Sequence, residues 1–151
     1  MPLRQIGWSS AITIDGSAEE AAWQQAPWSP EFPTAEGSPE PPGSARAKLT
    51  WDELGLYFFV HVEDSDVASP YRKRDDPLWK ADCVEIFIDA DGNREQYVEL
   101  QVNPWNAVFD SYFATTRAQP GDTAFDAGMR TQVVVHGTAD QSGDIDTGWD
   151  V

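Results

Sequence analysis

The feature that most constrains the fold of this chain lies within residues 83–103. Two runs in which apolar and polar residues alternate are joined there by an Asp-Gly pair. An apolar residue stands at every second position of both runs: Val84, Ile86 and Ile88, then Val98, Leu100 and Val102. Alternate residues of a β-strand point to opposite faces, and an Asp-Gly pair between two such runs favours a reversal of the chain. The pattern predicts an antiparallel hairpin with an apolar core face and an outward face that carries Glu85, Gln101 and Asn103.

A second hairpin is predicted for residues 45–63, with its turn at residues 52–55. The side chains expected to face the core are Ala45, Ala47, Leu49, Trp51, Leu56, Phe58, Val60 and Val62. The side chains expected on the opposite face include Tyr57, Phe59 and His61. Further strands are predicted in "NAVFDSYF" (106–113) and "MRTQVVVHG" (129–137).

The N-terminal third of the chain is expected to be less regular. The run "AITI" (11–14) favours a short strand, and "SAEEAAW" (17–23) predicts one helical turn with Ser17 as N-cap and Glu20 three residues later. Residues 30–44 are rich in proline, glycine and serine, so we expect a surface loop there.

The spacing of these elements predicts the fold class. With 11 glycines and 11 prolines in 151 residues, the chain has many turns and few long helical patterns. Short strands separated by polar turns are typical of two packed antiparallel sheets. We therefore expect an all-β fold, a jelly-roll-like antiparallel β-sandwich, in one domain that spans residues 1–151.

Charge and cysteine content exclude several classes of function. The net charge of −16 would repel a nucleic-acid backbone or an anionic membrane, so neither is an expected partner. The single cysteine, Cys83, allows neither a disulfide framework within the chain nor a thiol-rich metal site. The sequence as given contains no apolar segment typical of an export signal and no apolar run long enough to span a membrane.

The predicted outward face of the 83–103 hairpin has the composition of a sugar-binding platform. Glu85, Gln101 and Asn103 would project from it, and Trp79 would lie at its rim. The apolar C–H face of a pyranose packs against an indole, and its hydroxyl groups need fixed donors and acceptors such as carboxylates and amides.

The order of several motifs resembles family 9 carbohydrate-binding modules. The matching stretches are "IDG" (14–16), Trp23, "AKLTWDELGLYFFVHVED" (47–64), "DPLWKADCVEIFID" (76–89) and "YVELQVN" (97–103). The most specific element is the tryptophan that stands six residues before a glutamate and a β-rich run. The resemblance implies a non-catalytic β-sandwich that holds the end of a plant-type polysaccharide such as xylan or cellulose, with structural calcium nearby. It also implies an extracellular or periplasmic location.

The same resemblance implies roles for four residues. Trp79 matches a stacking tryptophan, Glu85 a hydroxyl-binding carboxylate, and Asn103 a hydrogen-bonding amide. Gln101 occupies a position where the best-known modules have arginine, which implies weaker or altered sugar recognition. The family's second stacking tryptophan comes late in the domain, and this sequence stops at "DTGWDV". We therefore expect a sandwich that lacks C-terminal strands, binds sugar weakly and associates with itself through an open sheet edge.

Two other functions fit parts of the sequence. Glu85 and Glu99 are expected on one face, and two carboxylates could hydrolyse a glycosidic bond, although nothing in the sequence marks either as having a raised pKa. His61, His136 and Met129 are candidate axial ligands of a haem in an electron-transfer domain. Calcium is expected from the resemblance alone, and no ligand set for it is predicted in "EDSD" (63–66) or "DADGN" (89–93).

Overall fold

The computed structural model describes the backbone of residues 4–5 and the residues 12–32, 43–117 and 121–151. The strands are β1 (Arg4–Gln5), β2 (Ala45–Trp51), β3 (Leu56–Val62), β4 (Val84–Ile88), β5 (Tyr97–Val102), β6 (Val108–Phe113), β7 (Val134–His136) and β8 (Gly148–Asp150). The helical elements are α1 (Ala21–Gln25) and the 3-10 turn η1 (Leu78–Lys80). Neither helical element, within the described part of the chain, is long and apolar enough to cross a membrane.

The residues group into two compact units, each with its own sheet. Unit 1 contains Met1–Val67 and Gln132–Val151, and its sheet has the order β1-β2-β3-β8-β7. Unit 2 contains Ala68–Thr131, and its sheet has the order β4-β5-β6. All strand pairs are antiparallel except β1 with β2. The prediction of an all-β fold with two sheets, consistent with a β-sandwich, is confirmed. The single domain over residues 1–151 stays a prediction.

The hairpin predicted at residues 45–63 is confirmed as β2 and β3, but its more buried face is the one expected to be exposed. Lys48, Thr50 and Phe59 are buried, whereas Trp51 and Leu56 are exposed. The reason lies in the preceding segment, which covers this face. The residues that pack together there are Ile12, Ala18, Trp23, Ala26, Trp28, Tyr57 and Phe59. Lys48 remains inside because its Nζ donates to the Trp23 carbonyl at 2.7 Å and lies 4.8 Å from the Trp28 ring centre.

The helical turn is confirmed as α1, but its predicted cap is wrong. Glu20, not Ser17, is the N-cap residue, and its side chain makes no capping bond to the helix. Instead Glu20 Oε1 accepts a hydrogen bond from the Thr13 amide at 2.8 Å, while the Ser17 amide donates to Asp15. Residues 12–14 form no strand, because Thr13 is held by this side chain and not by a sheet ladder.

The residues of "GWD" near the end of the sequence form β8, which lies between β3 and β7. Gly148 has φ +131°, and a Cβ there would stand 1.9 Å from the Val62 carbonyl oxygen, so only glycine permits this approach. Trp149 is buried. The Asp150 carboxylate is hydrogen bonded to both His61 Nδ1 and His136 Nε2, each at 2.7 Å.

The hairpin of unit 2 is confirmed, and its residues share faces as predicted, with Glu85 and Gln101 on one face and Val84 and Val102 on the other. Glu85 pairs with Gln101, Phe87 with Glu99, and Val84 with Val102. The turn between the strands is longer than an Asp-Gly pair and covers residues 89–96. Asp89 closes it by accepting hydrogen bonds from the Gly92 and Arg94 amides, which lower the pKa of its carboxyl group. The strand predicted in 106–113 is β6. In 129–137 only β7 is formed.

The surface loop predicted for residues 30–44 falls largely outside the described residues, which include only 30–32 and 43–44 of it. Its conformation therefore stays a prediction.

Candidate functional site

One face of the β4-β5-β6 sheet carries two of the four predicted site residues, Glu85 and Gln101, and we call it the Glu85 face. Antiparallel partners that lie directly opposite one another project to the same side of a sheet. By the observed register, the side chains on this face are Glu85, Phe87, Tyr97, Glu99, Gln101, Phe109, Ser111 and Phe113. The first row across the three strands is Glu85, Gln101 and Phe109; the second is Phe87, Glu99 and Ser111.

Trp79 lies at the Phe109 end of the first row. The preceding residue, Leu78, is fully buried in a cluster with Ala107 and Phe109, and it anchors η1. The Trp79 ring then meets the Phe109 ring edge to face, with centroids 5.2 Å apart and an angle of 68° between the planes. Trp79 nevertheless keeps 47% of its surface exposed. The polar loop can hold a tryptophan because the neighbouring Leu78 is buried and anchors the loop. Phe109 supports the indole of Trp79 on one side only, so that the rest of the ring stays exposed.

Glu85 stands at the opposite end of the first row and is exposed. Partial burial raises the pKa of its carboxyl group, and the nearby Glu99 carboxylate raises it further, while Arg117 acts in the opposite direction. The Cys83 Sγ lies 3.9 Å from Glu85 Oε1, and burial, followed by the charge of Glu85, raises the pKa of that thiol to about 12. No feature of the sequence indicated a raised pKa at Glu85, because its causes, burial and the proximity of Glu99, arise from the tertiary structure.

Gln101, between Glu85 and Phe109, is fully buried, so the prediction that it projects into solvent is wrong. Its Nε2 donates to Glu99 Oε1 at 2.7 Å, and its Oε1 has no hydrogen-bond partner within the described part of the chain. Glu99 is also buried and lies 3.4 Å from Arg117 Nη2. The floor of the Glu85 face is therefore a polar layer in which one amide oxygen still lacks a donor.

Asn103 is fully buried as well, and its predicted outward orientation is likewise wrong. Its Nδ2 donates to Ser69 Oγ at 3.0 Å and to the Tyr71 carbonyl at 2.9 Å. Its Oδ1 accepts from the amides of Trp105 and Ala107 at 3.1 and 2.9 Å. An asparagine amide makes four hydrogen bonds at most, so this side chain has no capacity left for a ligand. It shapes the turn between β5 and β6.

Two residues of the site had no clear signal in the sequence. Phe109 was expected only as part of a strand, yet it supports the Trp79 ring. Arg117 follows β6, its guanidinium lies 5.4 Å from the Phe87 ring centre, and it brings a cation to an acidic face. A loop residue of this kind cannot be placed by strand periodicity.

The far end of the Glu85 face is covered by its own chain. A Cβ at Gly121 would stand 2.2 Å from Ser111 Oγ and 2.8 Å from the Phe113 ring, so the backbone passes directly over these two side chains. Tyr97 stacks on Phe113 with centroids 4.8 Å apart. The exposed side chains on this face are Glu85 and Phe87 of β4, and the half-exposed Trp79 ring lies beside Phe109.

The described residues contain no group of three or more histidine, cysteine, aspartate or glutamate side chains that could hold a metal ion. In "DADGN", both carboxylate oxygens of Asp89 accept backbone hydrogen bonds. Both candidate haem-ligating histidines, His61 and His136, are hydrogen bonded to Asp150.

Comparisons with known proteins place the chain among carbohydrate-binding domains. The family described as "Carbohydrate family 9 binding domain-like" matches residues 14–139. Endo-1,4-beta-xylanase A of Thermotoga neapolitana is 32% identical over 87 residues, which are 57% of this chain and 8% of that protein. The chain thus corresponds to a small part of the length of this relative. No significant match was found among solved structures.

Proposed function

The chain belongs to the carbohydrate family 9 binding domain-like family, and we propose that it binds the sugar units of a β-1,4-linked polysaccharide or its oligosaccharides on the Glu85 face. The observation that carries this proposal is the row Glu85, Gln101 and Phe109, with the half-exposed Trp79 ring against Phe109. Neighbouring strands are about 4.8 Å apart, so the row spans about 10 Å. That is a suitable span for a flat ring and a carboxylate to contact the same small sugar.

Each side chain then has a physical role. Trp79 supplies an apolar surface for the C–H face of a pyranose, and the Glu85 carboxylate accepts hydrogen bonds from its hydroxyl groups. Gln101 Oε1 lacks a donor among the described residues, and a buried water beneath the site would supply one and support the floor on which the sugar rests. Asn103 holds the adjoining turn and acts without touching the sugar.

Plant-type xylan is the proposed polymer, with cellulose as the close alternative in chemistry. The support is the likeness to a protein named as an endo-1,4-beta-xylanase. The acidic face of this chain also favours neutral sugars, because Glu85 and Glu99 would repel a carboxylate or sulfate group on the ligand.

Replacement of Glu85 by glutamine is expected to weaken binding of xylotriose by about tenfold to a hundredfold. A hydrogen bond to a charged acceptor contributes about 1.5–3 kcal/mol, and the amide has one acceptor atom where the carboxylate has two. The wild-type affinity should fall as the pH decreases through the raised pKa of Glu85, because protonation removes the charged acceptor. Isothermal titration calorimetry across a pH series measures both effects. An affinity of Glu85→Gln that equals the wild-type value would contradict the assigned role.

The same substitution should not destabilise the fold. A raised carboxyl pKa means that the folded state binds the proton more tightly than the unfolded state does. The ionised Glu85 therefore opposes folding at neutral pH, and stability is gained as the pH falls through its pKa. The melting temperature of Glu85→Gln is expected to equal or exceed the wild-type value at neutral pH, which separates a binding defect from a folding defect.

Glycoside hydrolysis is a second candidate, because the raised pKa of Glu85 is a property of a general acid. Its nearest carboxylate partner on the face, Glu99, is buried and bound by Gln101 and Arg117, so it is poorly placed to reach a substrate. Binding without catalysis is therefore the favoured function. If the wild type hydrolyses an aryl β-xyloside and Glu85→Gln does not, glycoside hydrolysis becomes the favoured function.

Structural calcium and self-association through a sheet edge both stay predictions. If calcium is structural, the melting temperature should rise when calcium is added. If the chain associates with itself, its size-exclusion profile should depend on protein concentration.

A further inference from the structure

A second exposed tryptophan, Trp105, lies in the turn between β5 and β6. It keeps 43% of its surface exposed, although tryptophan is a residue type that folded chains tend to bury. The Arg72 guanidinium lies 3.9 Å from the centre of its ring. A planar cation stacked over an indole is favourable and limits the movement of the ring.

Both members of this pair are held by contacts to the backbone or to a buried side chain. The Trp105 amide donates to Asn103 Oδ1 at 3.1 Å, and Asn103 is fully buried. The Arg72 guanidinium donates to the carbonyl oxygens of Ser69 and Tyr71. Because the ring is already fixed, a ligand that packs on it loses little additional side-chain entropy.

Trp79 contacts a buried cluster of unit 2, and Trp105 lies close along the chain to a member of the same cluster. Leu78, Ala107 and Phe109 form that cluster, and Tyr71 packs against it. Trp79 directly follows Leu78 and contacts Phe109. Trp105 stands two residues before Ala107 and contacts Arg72, which follows Tyr71. Residues 105 to 109 span at most about 13 Å of extended chain, so a short oligosaccharide could reach from one ring to the other.

We infer that Trp105, held by Arg72, is a second stacking site that takes a further pyranose unit of the oligosaccharide bound at Trp79. This inference rests on the proposed function of the Glu85 face. Disaccharides engage Trp79 and Glu85 only, whereas longer linear chains of neutral β-1,4-linked sugars contact both tryptophans. The chain therefore prefers an extended oligosaccharide to a terminal unit alone.

The test is a length series of xylo-oligosaccharides from xylobiose to xylohexaose, titrated by calorimetry into the wild-type protein and Trp105→Ala. The wild-type affinity is expected to rise about tenfold between the shortest and the longest sugar, because one good aromatic contact contributes on that order. Trp105→Ala should keep the affinity for xylobiose and lose the gain with length. Trp105→Leu, which keeps apolar bulk but lacks a flat ring, should behave in the same way.

Trp51→Ala is the matched control, since Trp51 is also half-exposed but belongs to the sheet of unit 1. It should leave every affinity unchanged. Three outcomes would overturn the role of Trp105 while the binding face itself stands. The gain in affinity with length could survive in Trp105→Ala, Trp105→Ala could lose affinity equally at every length, or the wild-type affinity could be independent of length. A wild-type protein that binds none of these sugars, or cello-oligosaccharides, would overturn both proposals.

Discussion

Replacement of Trp79 by alanine is expected to lower the affinity for xylotriose by about thirtyfold or more. Truncation of a central aromatic contact in a binding site typically costs about 2 kcal/mol or more, which corresponds to that factor. The ring is supported by Phe109 and half exposed, so the substitution removes the stacking surface without emptying the core. Calorimetry is the appropriate measurement because the substitution also removes a fluorescent group.

The control for this substitution is again Trp51→Ala, which removes a comparable exposed indole from unit 1. It should bind xylotriose as the wild type does. Equal affinities of Trp79→Ala and wild type would refute the role of Trp79, and equal losses in both variants would point to a general effect of tryptophan removal.

Replacement of Asn103 by alanine is expected to reduce the free energy of unfolding by about 2–4 kcal/mol, since it removes four hydrogen bonds of a fully buried side chain. The amides of Trp105 and Ala107 lose their acceptor, and the Ser69 hydroxyl and the Tyr71 carbonyl each lose one of their hydrogen bonds. Urea denaturation measures the loss. Asn103 would thus be recognised as a residue that maintains the site.

Asn93→Ala provides the matched comparison, because the Asn93 amide bonds to Asp91 in the exposed turn between β4 and β5. Its cost should stay within about 1 kcal/mol. If Asn103→Ala were as stable as the wild type but no longer bound sugar, Asn103 would be a direct ligand contact, contrary to the geometry.

The sequence was sufficient to predict the two strands of the 83–103 hairpin and which of their residues share a face. Strand period is a local property, and it correctly put Glu85 and Gln101 on the same face, whereas the turn is longer than the predicted Asp-Gly pair. The motif shared with the family likewise drew attention to Trp79 before its surroundings were known. These two kinds of information identified the face on which the proposed site lies.

Burial was harder to predict, because it depends on which distant segments cover each face. Lys48 and Phe59 lie inside because residues 12–28 pack over the 45–63 hairpin. Asn103 is buried because residues 69 and 71 supply its partners. Alternation alone shows which side chains share a face and does not show which face meets solvent. The raised pKa of Glu85 has the same origin in tertiary contacts.

The most direct test of carbohydrate binding on the Glu85 face is a titration of the ¹⁵N-labelled protein with xylotriose, followed through the indole and backbone amide signals in NMR spectra. The chain has seven tryptophans, and the Trp79 indole signal is identified by its loss in Trp79→Phe. We predict saturable shifts of the Trp79 indole and of the Glu85 and Gln101 amides, with the Trp51 indole unchanged. Saturable binding that leaves the Trp79 indole unmoved, or no response to xylo- and cello-oligosaccharides, would contradict the account.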